Sequence, residues 1–137
     1  MTLRYLLDIN ICIYIAKQHP KNVLHHFEQL SVGEVAMSIL SYGELIYGVE
    51  KSQYVQKNGQ LIRQLINLIP PLALPHNAGD HYGKVRSQLE KEGKIIGNND
   101  LWIAAHALAA ELVLVTNNTK EFSRIPSLKI DNWVGSS

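Results

Sequence analysis

An α/β fold with a parallel sheet covered on both faces is what this 137-residue sequence predicts, on three observations. Within RYLL at 4–7 and LVLVTNN at 112–118 the stretches YLL and LVLV are uninterruptedly apolar and stop at polar residues, as strands buried on both sides do. Helical patterns separate the strand-like runs, the alternation that builds βαβ units. No Gly-rich phosphate loop, repeat or low-complexity stretch breaks this order, so one domain over 1–137 is expected, long enough to bury a core without disulfides.

Each element has its own local reason. RYLL is a strand that ends at Asp8, and NICIYIAK at 10–17 sets Ile11, Tyr14 and Ile15 at helical spacing. PKNVLHHFEQL opens with Pro20 in a first-turn position and reads as a second helix. EVAMSI, after Gly33, reads as a strand, and SYGELIYGVEKS begins a third helix. Residues 54–69 put Leu61, Leu65 and Leu68 on one stripe until Pro70 and Pro71 stop the helix, giving a helical hairpin across 41–69. LALP at 72–75 is a weak strand, AGDHYGKVRSQLEKEG is an amphipathic helix closed by Gly93, and DLWIAAHALAA at 100–110 is a further helix before the last strand.

Composition narrows the setting. Thirteen Lys and Arg against twelve Asp and Glu leave a formal charge of +1, so attraction to nucleic acid has to come from local clustering. The one cysteine, Cys12, lies in an apolar helix pattern and can close no internal disulfide, which suits a reducing cytoplasm and reads as a small core residue. MTLRYLLDIN lacks a signal-peptide pattern and no apolar run reaches the roughly 18 residues of a membrane span, so a cytoplasmic protein is expected.

Four acids fall where an α/β sheet presents its ligand crevice. Asp8 ends the first strand, Glu44 follows EVAMSI, Asp100 opens the helix leading to the last strand, and Asn117 and Glu121 follow that strand. Each has a local explanation: an N-cap for Asp8, a Ser41-x-x-Glu44 capping box, the positive helix end for Asp100, a loop charge for Glu121. Together they argue for a cation, because crowded carboxylates raise one another's pKa unless one offsets them. Mg²⁺ or Mn²⁺ fits hard oxygen donors, and can activate a water while clamping a phosphodiester.

Other constellations carry less. His25 and His26 diverge mid-helix without partners at zinc spacing, His106 reads as a core histidine with one satisfied nitrogen, and neither Ser38 nor Ser41 has a His–acid pair. Trp102 and Trp133 read as packing aromatics. Lys84, Arg86, Lys91 and Lys94 make a basic face on or beside the helix leading toward Asp100, with Lys120 and Arg124 extending it; Arg86 has the planar fork suited to phosphate.

YLLDINICIYIAK, MSILSYGELIYGVEKS, GKIIGNNDLWIAAHALA and LVLVTNNTKEFSRIPSLKIDNW, in this order, resemble the PIN-domain ribonucleases, and among them the VapC-type toxins of bacterial toxin–antitoxin pairs. The resemblance runs from the first strand to Trp133. It implies a three-layer α/β/α sandwich with a central parallel sheet, and a Mg²⁺- or Mn²⁺-dependent endoribonuclease. By position in these motifs, Asp8, Glu44 and Asp100 resemble the family's metal-binding acids and Glu121 its more variable fourth; Arg86 and Asn117 match polar residues beside the site. It further implies a homodimer, an antitoxin lying across the groove and supplying the contact to operator DNA, and structured RNA as substrate, with tRNA the expected target.

One position departs from the pattern. The family usually reads Asp-Thr-Asn where this chain has Asp8, Ile9 and Asn10, so a hydroxyl near the metal-water shell is replaced by hydrocarbon. Losing such a hydrogen bond typically costs about 10–100-fold in metal affinity or activity. The alternative reading is therefore a catalytically weakened PIN-like module that binds RNA or a partner protein without turnover. A phosphoacceptor receiver domain is excluded, since LLDIN has no acid pair and VTNN no lysine.

Overall fold

The computed structural model describes residues 2–135; Met1, Ser136 and Ser137, at the ends of the expected 1–137 domain, lie outside the described residues. The chain forms β1 (Tyr5–Leu7), α1 (Ile9–Lys17), α2 (Lys21–Glu28), β2 (Val35–Ser38), α3 (Ile39–Glu50), α4 (Val55–Leu68), β3 (Pro71–Leu72), α5 (Ala78–Lys91), α6 (Asn98–Ala110), β4 (Val113–Val115), α7 (Thr119–Phe122) and β5 (Ile130–Asp131). The strands make one sheet in the order β3-β2-β1-β4-β5, with every pairing parallel.

Strand pleat divides the core into two halves, because successive side chains point to opposite faces. Leu6 and Leu114 pack with Leu89, Leu101, Ala104 and Phe122, so α5, α6 and α7 cover one face. Leu7 and Val115, each one residue later, pack with Ile11, Val23, Leu45 and Leu65, so α1 to α4 cover the other. This is the expected three-layer α/β/α sandwich. Cys12 is buried, with its Sγ 3.8 Å from the Leu7 carbonyl, and burial pushes its thiol pKa up, as a core residue requires.

Several boundaries move, each for a local reason. Ser38, not Ser41, caps α3: its hydroxyl accepts from the Leu40 N–H at 3.2 Å, so the helix starts at Ile39 and Glu44 falls in its second turn, outside any capping box. Pro20 is the N-cap of α2 and not its first helical residue. The weak third strand lies at 71–72, where Pro71 and Leu72 register with Met37 and Ser38, and not at 72–75. Of the stripe on α4 only Leu65 is buried. The short α7 and β5 have no counterpart in the sequence reading, which left Glu121 in a loop. No helix among the described residues is long and apolar enough to cross a membrane.

Candidate active site

β1 stands between β2 and β4, and the chain leads away from it in both directions, so the crevice beyond the carboxyl ends of β1 and β4 is the switch point at which open α/β sheets bind ligands. Asp8 follows β1 at that point. Its N–H donates to the Val115 carbonyl at 2.9 Å, which ties the turn to β4. Its Oδ1 accepts from the Ile9 N–H at 2.8 Å, capping α1, and its Oδ2 accepts from the Thr116 hydroxyl at 2.8 Å. Burial raises the Asp8 pKa above the ordinary carboxylate range, while those two hydrogen bonds oppose the rise.

Asp100, half-buried in the first turn of α6, is pushed up to about 6, chiefly by burial and then by the charges of Asp8, Glu121 and Glu44. Asp100 therefore feels the charge of each of the other three acids. Asp8, Glu44 and Asp100 share a cleft of about 30 Å³ with Ser41 and Asn99, walled by Ile9, Leu40 and Ile103. Since a water needs at least about 10–15 Å³, the cleft has room for an ion and little else. Glu44 itself is exposed on α3, and its Oε1 accepts a hydrogen bond from the Asn99 side-chain amide.

Among the described residues no three His, Cys, Asp or Glu side chains already converge on one point as a finished cage. The donor set still fits a hard divalent cation. Mg²⁺ keeps several waters and uses only one or two carboxylates, and here two buried or half-buried carboxylates repel each other beside an open side.

The remaining expected residues lie at different distances from this chemistry. The Asn117 side-chain amide donates to the Tyr14 hydroxyl at 3.2 Å, tying the end of β4 to α1. Lys120 is exposed on α7 beside Glu121. The Arg86 guanidinium donates to Glu90 at 3.1 Å and to the Tyr82 hydroxyl at 2.8 Å, and Tyr82 in turn donates to Asn98, the first residue of α6. Tyr82 also stacks on Trp102 at 4.0 Å, so the half-buried Trp102 locks α5 to α6. Trp133 is buried and stacks on His26. Lys84 lies away from the acids, in a separate cavity with Arg124. His106 is wholly buried with Nδ1 2.9 Å from the Ser38 hydroxyl oxygen and Nε2 without a partner; burial lowers its pKa.

Sequence reasoning missed Thr116 and Asn99. Thr116 is fully buried between Asp8 Oδ2 and the Asn118 N–H, which donates to its Oγ1 at 3.0 Å. A hydroxyl closing an apolar strand was its only signal. Thr116→Val is expected to lower divalent-ion affinity and activity about 10–100-fold, because Asp8 loses the donor that favours its charged form. Thr116→Ser should restore both, and a Thr116→Val protein with native Mn²⁺ affinity would contradict the assignment.

The deciding comparison is a match to the PIN domain family model over residues 5–128. The chain belongs to the PIN-domain family. It is 40% identical over 132 residues to Ribonuclease VapC2 of Haemophilus influenzae, covering 96% of this chain and 99% of that one. It is 38% identical over 131 residues to the tRNA(fMet)-specific endonuclease VapC of Shigella flexneri, covering 96% and 98%. The solved structure of VapBC2 from Rickettsia felis bound to a DNA fragment from their promoter superimposes with a TM-score of 0.88 at 39% identity over 96% of this chain and 99% of that one. The structure of VapBC-1 from nontypeable Haemophilus influenzae gives 0.89 at 40% identity over 97% and 100%. Within the PIN-domain family, the chain is a ribonuclease of the VapC type.

Proposed function

We propose that this PIN-domain ribonuclease is the endoribonuclease toxin of a toxin–antitoxin pair, working in the cytoplasm on structured RNA, with tRNA the target class. Its cleavage depends on Mg²⁺ or Mn²⁺. The observation that carries the reading is the gathering of Asp8, Glu44 and Asp100 in one small cleft, with Glu121 near enough to help raise the Asp100 pKa: like charges brought together in this way call for a cation. Asp8 and Asp100 would hold the principal ion, Glu44 would bind through water or serve a second ion, and Glu121 would complete the rim. When bound, the ion supplies charge neutralisation at the phosphodiester and activation of a water.

The chain's own residues do the positioning. Thr116 and the Ile9 N–H fix both oxygens of Asp8, and Asn99 holds Glu44 against the start of α6. Ile9, Leu40 and Ile103 form an apolar wall that limits water in the cleft. A shallow groove of about 640 Å³ runs from Glu44 along α3 past Gly43, Tyr47 and Lys51, an open approach for an RNA strand. Arg86, Asn117, Lys84 and Lys120 are the substrate-binding candidates. A VapB-type antitoxin is the proposed inhibitor and the route to operator DNA, since the neighbouring structures of VapC relatives are VapBC complexes; the toxin itself is proposed to be a homodimer.

Ile9 bears on the alternative of binding without turnover. A hydroxyl does reach Asp8, from Thr116 at the carboxyl end of the neighbouring parallel strand β4, so the hydrocarbon at position 9 leaves Asp8 hydrogen-bonded. Purified antitoxin-free protein incubated with total bacterial RNA should give discrete fragments with Mg²⁺ or Mn²⁺ and none with EDTA. Ile9→Thr should raise the rate by less than about tenfold, within the range for one outer-shell contact. A silent native chain beside an active Ile9→Thr variant would favour the binding module instead.

A further inference from the structure

Between α5 and the segment after α7 lies a second cavity, of about 260 Å³, bounded by Lys84, Val85 and Leu89 on one side and Arg124, Ile125 and Ser127 on the other. Its floor is apolar, with Leu89 and Ile125 buried. Its rim carries two cations from two separate elements, and no carboxylate lines it. Gln88, at the edge, gives its amide to Glu92 outside the cavity at 2.6 Å. The ion pairs among the described residues are Arg4 with Glu34 and Arg86 with Glu90, so neither Lys84 nor Arg124 is neutralised.

Arg124 is held in place. Its Nη1 donates to the Ile95 carbonyl at 2.9 Å, which anchors the guanidinium to the α5–α6 connection while its other N–H groups remain available. Two like charges facing one cavity without a counter-ion repel each other, and an anion between them removes that repulsion. A cationic rim is what the backbone of nucleic acid follows, and the aliphatic floor of Val85, Leu89, Ile125 and Pro126 leaves apolar surface for the sugar and base next to a phosphate held on that rim. The chain links the cavity to the acidic site: α7, which carries Glu121, ends two residues before Arg124, and Ile95 lies three residues before α6, which carries Asp100.

We infer that this cavity binds a phosphodiester of the RNA substrate and its adjoining nucleoside, away from the nucleotides that enter the acidic cleft. The inference rests on the ribonuclease reading above. It makes the protein favour RNA long enough to span both places, and it gives Lys84 and Arg124 a task distinct from that of Arg86.

The test uses the full chain carrying Asp100→Asn, so that RNA is bound without being cut, with fluorescently labelled bulk bacterial tRNA as the probe. Lys84→Glu and, independently, Ser127→Glu are added; the second places a carboxylate in the cavity while keeping both cations. Lys57→Glu on α4, across the sheet, is the control with the same change in charge as Lys84→Glu. Each cavity variant should weaken tRNA binding about five- to tenfold more than the control, and Lys84→Glu should make the slope of log K against log salt shallower by about one. In the Asp100 background, cavity variants that bind like their parent, or no worse than Lys57→Glu, would overturn the site. Cleavage of the same tRNA by the native chain is run alongside. A native chain that cleaves while the cavity variants bind like their parent sinks this inference alone, whereas a native chain that neither binds nor cleaves tRNA sinks the proposed tRNA target and this inference with it.

Discussion

Asp100→Asn is expected to cut RNA cleavage by more than about 100-fold and, at the same time, to stabilise the ion-free protein at pH 8. The first effect follows from removing one of the two carboxylates proposed to hold the ion, a change at least as severe as the 10–100-fold typical of outer-shell losses. The second follows from the folded-state pKa of about 6 against an ordinary 3.8. A carboxyl whose pKa is raised by folding is protonated more readily in the folded chain, so its charge opposes folding above about pH 6. At full weight the two-unit gap is about 3 kcal/mol, and solvent screening of a half-exposed group reduces it to about 1 kcal/mol. For a chain of this length that is a rise of about 3–5 °C in Tm. The gain should fade as the pH falls from about 6 toward 4, as the native Asp100 takes up its proton in the folded chain, and should be gone only below both pKa values. An Asp100→Asn protein that cleaves normally would remove Asp100 from the site; one that is inactive and less stable at pH 8 would mean the residue supports the fold and not a cation.

Much of this geometry is legible without coordinates because it depends on short-range pattern. RYLL and LVLV are strands in any α/β context, and their polar ends place Asp8 and Asn117 at one sheet edge. Asp100 stands out because the helix behind it is otherwise fit for burial, with Leu101, Ile103, Ala104 and Ala105 all inside. What escapes is decided by contacts distant in sequence. Ser38 and Ser41 are equally good caps locally, and the pairing of Ser38 with Leu72 in the β2–β3 ladder fixes which one ends the strand and starts α3. β5 exists because Ile130 and Asp131 pair with Leu114 and Val115, and the one-turn α7 exists beside the wholly buried Phe122; neither is long enough to show a period. The Thr116 to Asp8 bond joins residues 108 apart, so no local window contains it.

Divalent-ion affinity is expected to fall about tenfold for each pH unit below 6 and to be nearly flat above 7. Asp8 and Asp100 are both raised by burial, and Asp100 further by its acidic neighbours, so below about pH 6 an ion has to displace a proton before it binds. The stability consequence has the opposite sign from that of an ordinary salt-bridged acid. For a carboxyl with a depressed pKa, folding stability is lost on acidification; for these two raised acids, acidification of the ion-free protein relieves a penalty and adds stability, in the case of Asp100 as the pH falls through about 6. A saturating ion at pH 8 should provide the same relief by offsetting the charges, raising the native Tm while leaving that of Asp100→Asn almost unmoved. Calorimetric titration with Mn²⁺ at pH 8, 6 and 5, repeated in buffers of different ionisation enthalpy, measures affinity and proton release together. Uptake that is tight at pH 5 without proton release would mean the ion sits elsewhere, and the crowding of Asp8, Glu44, Asp100 and Glu121 would then need another explanation.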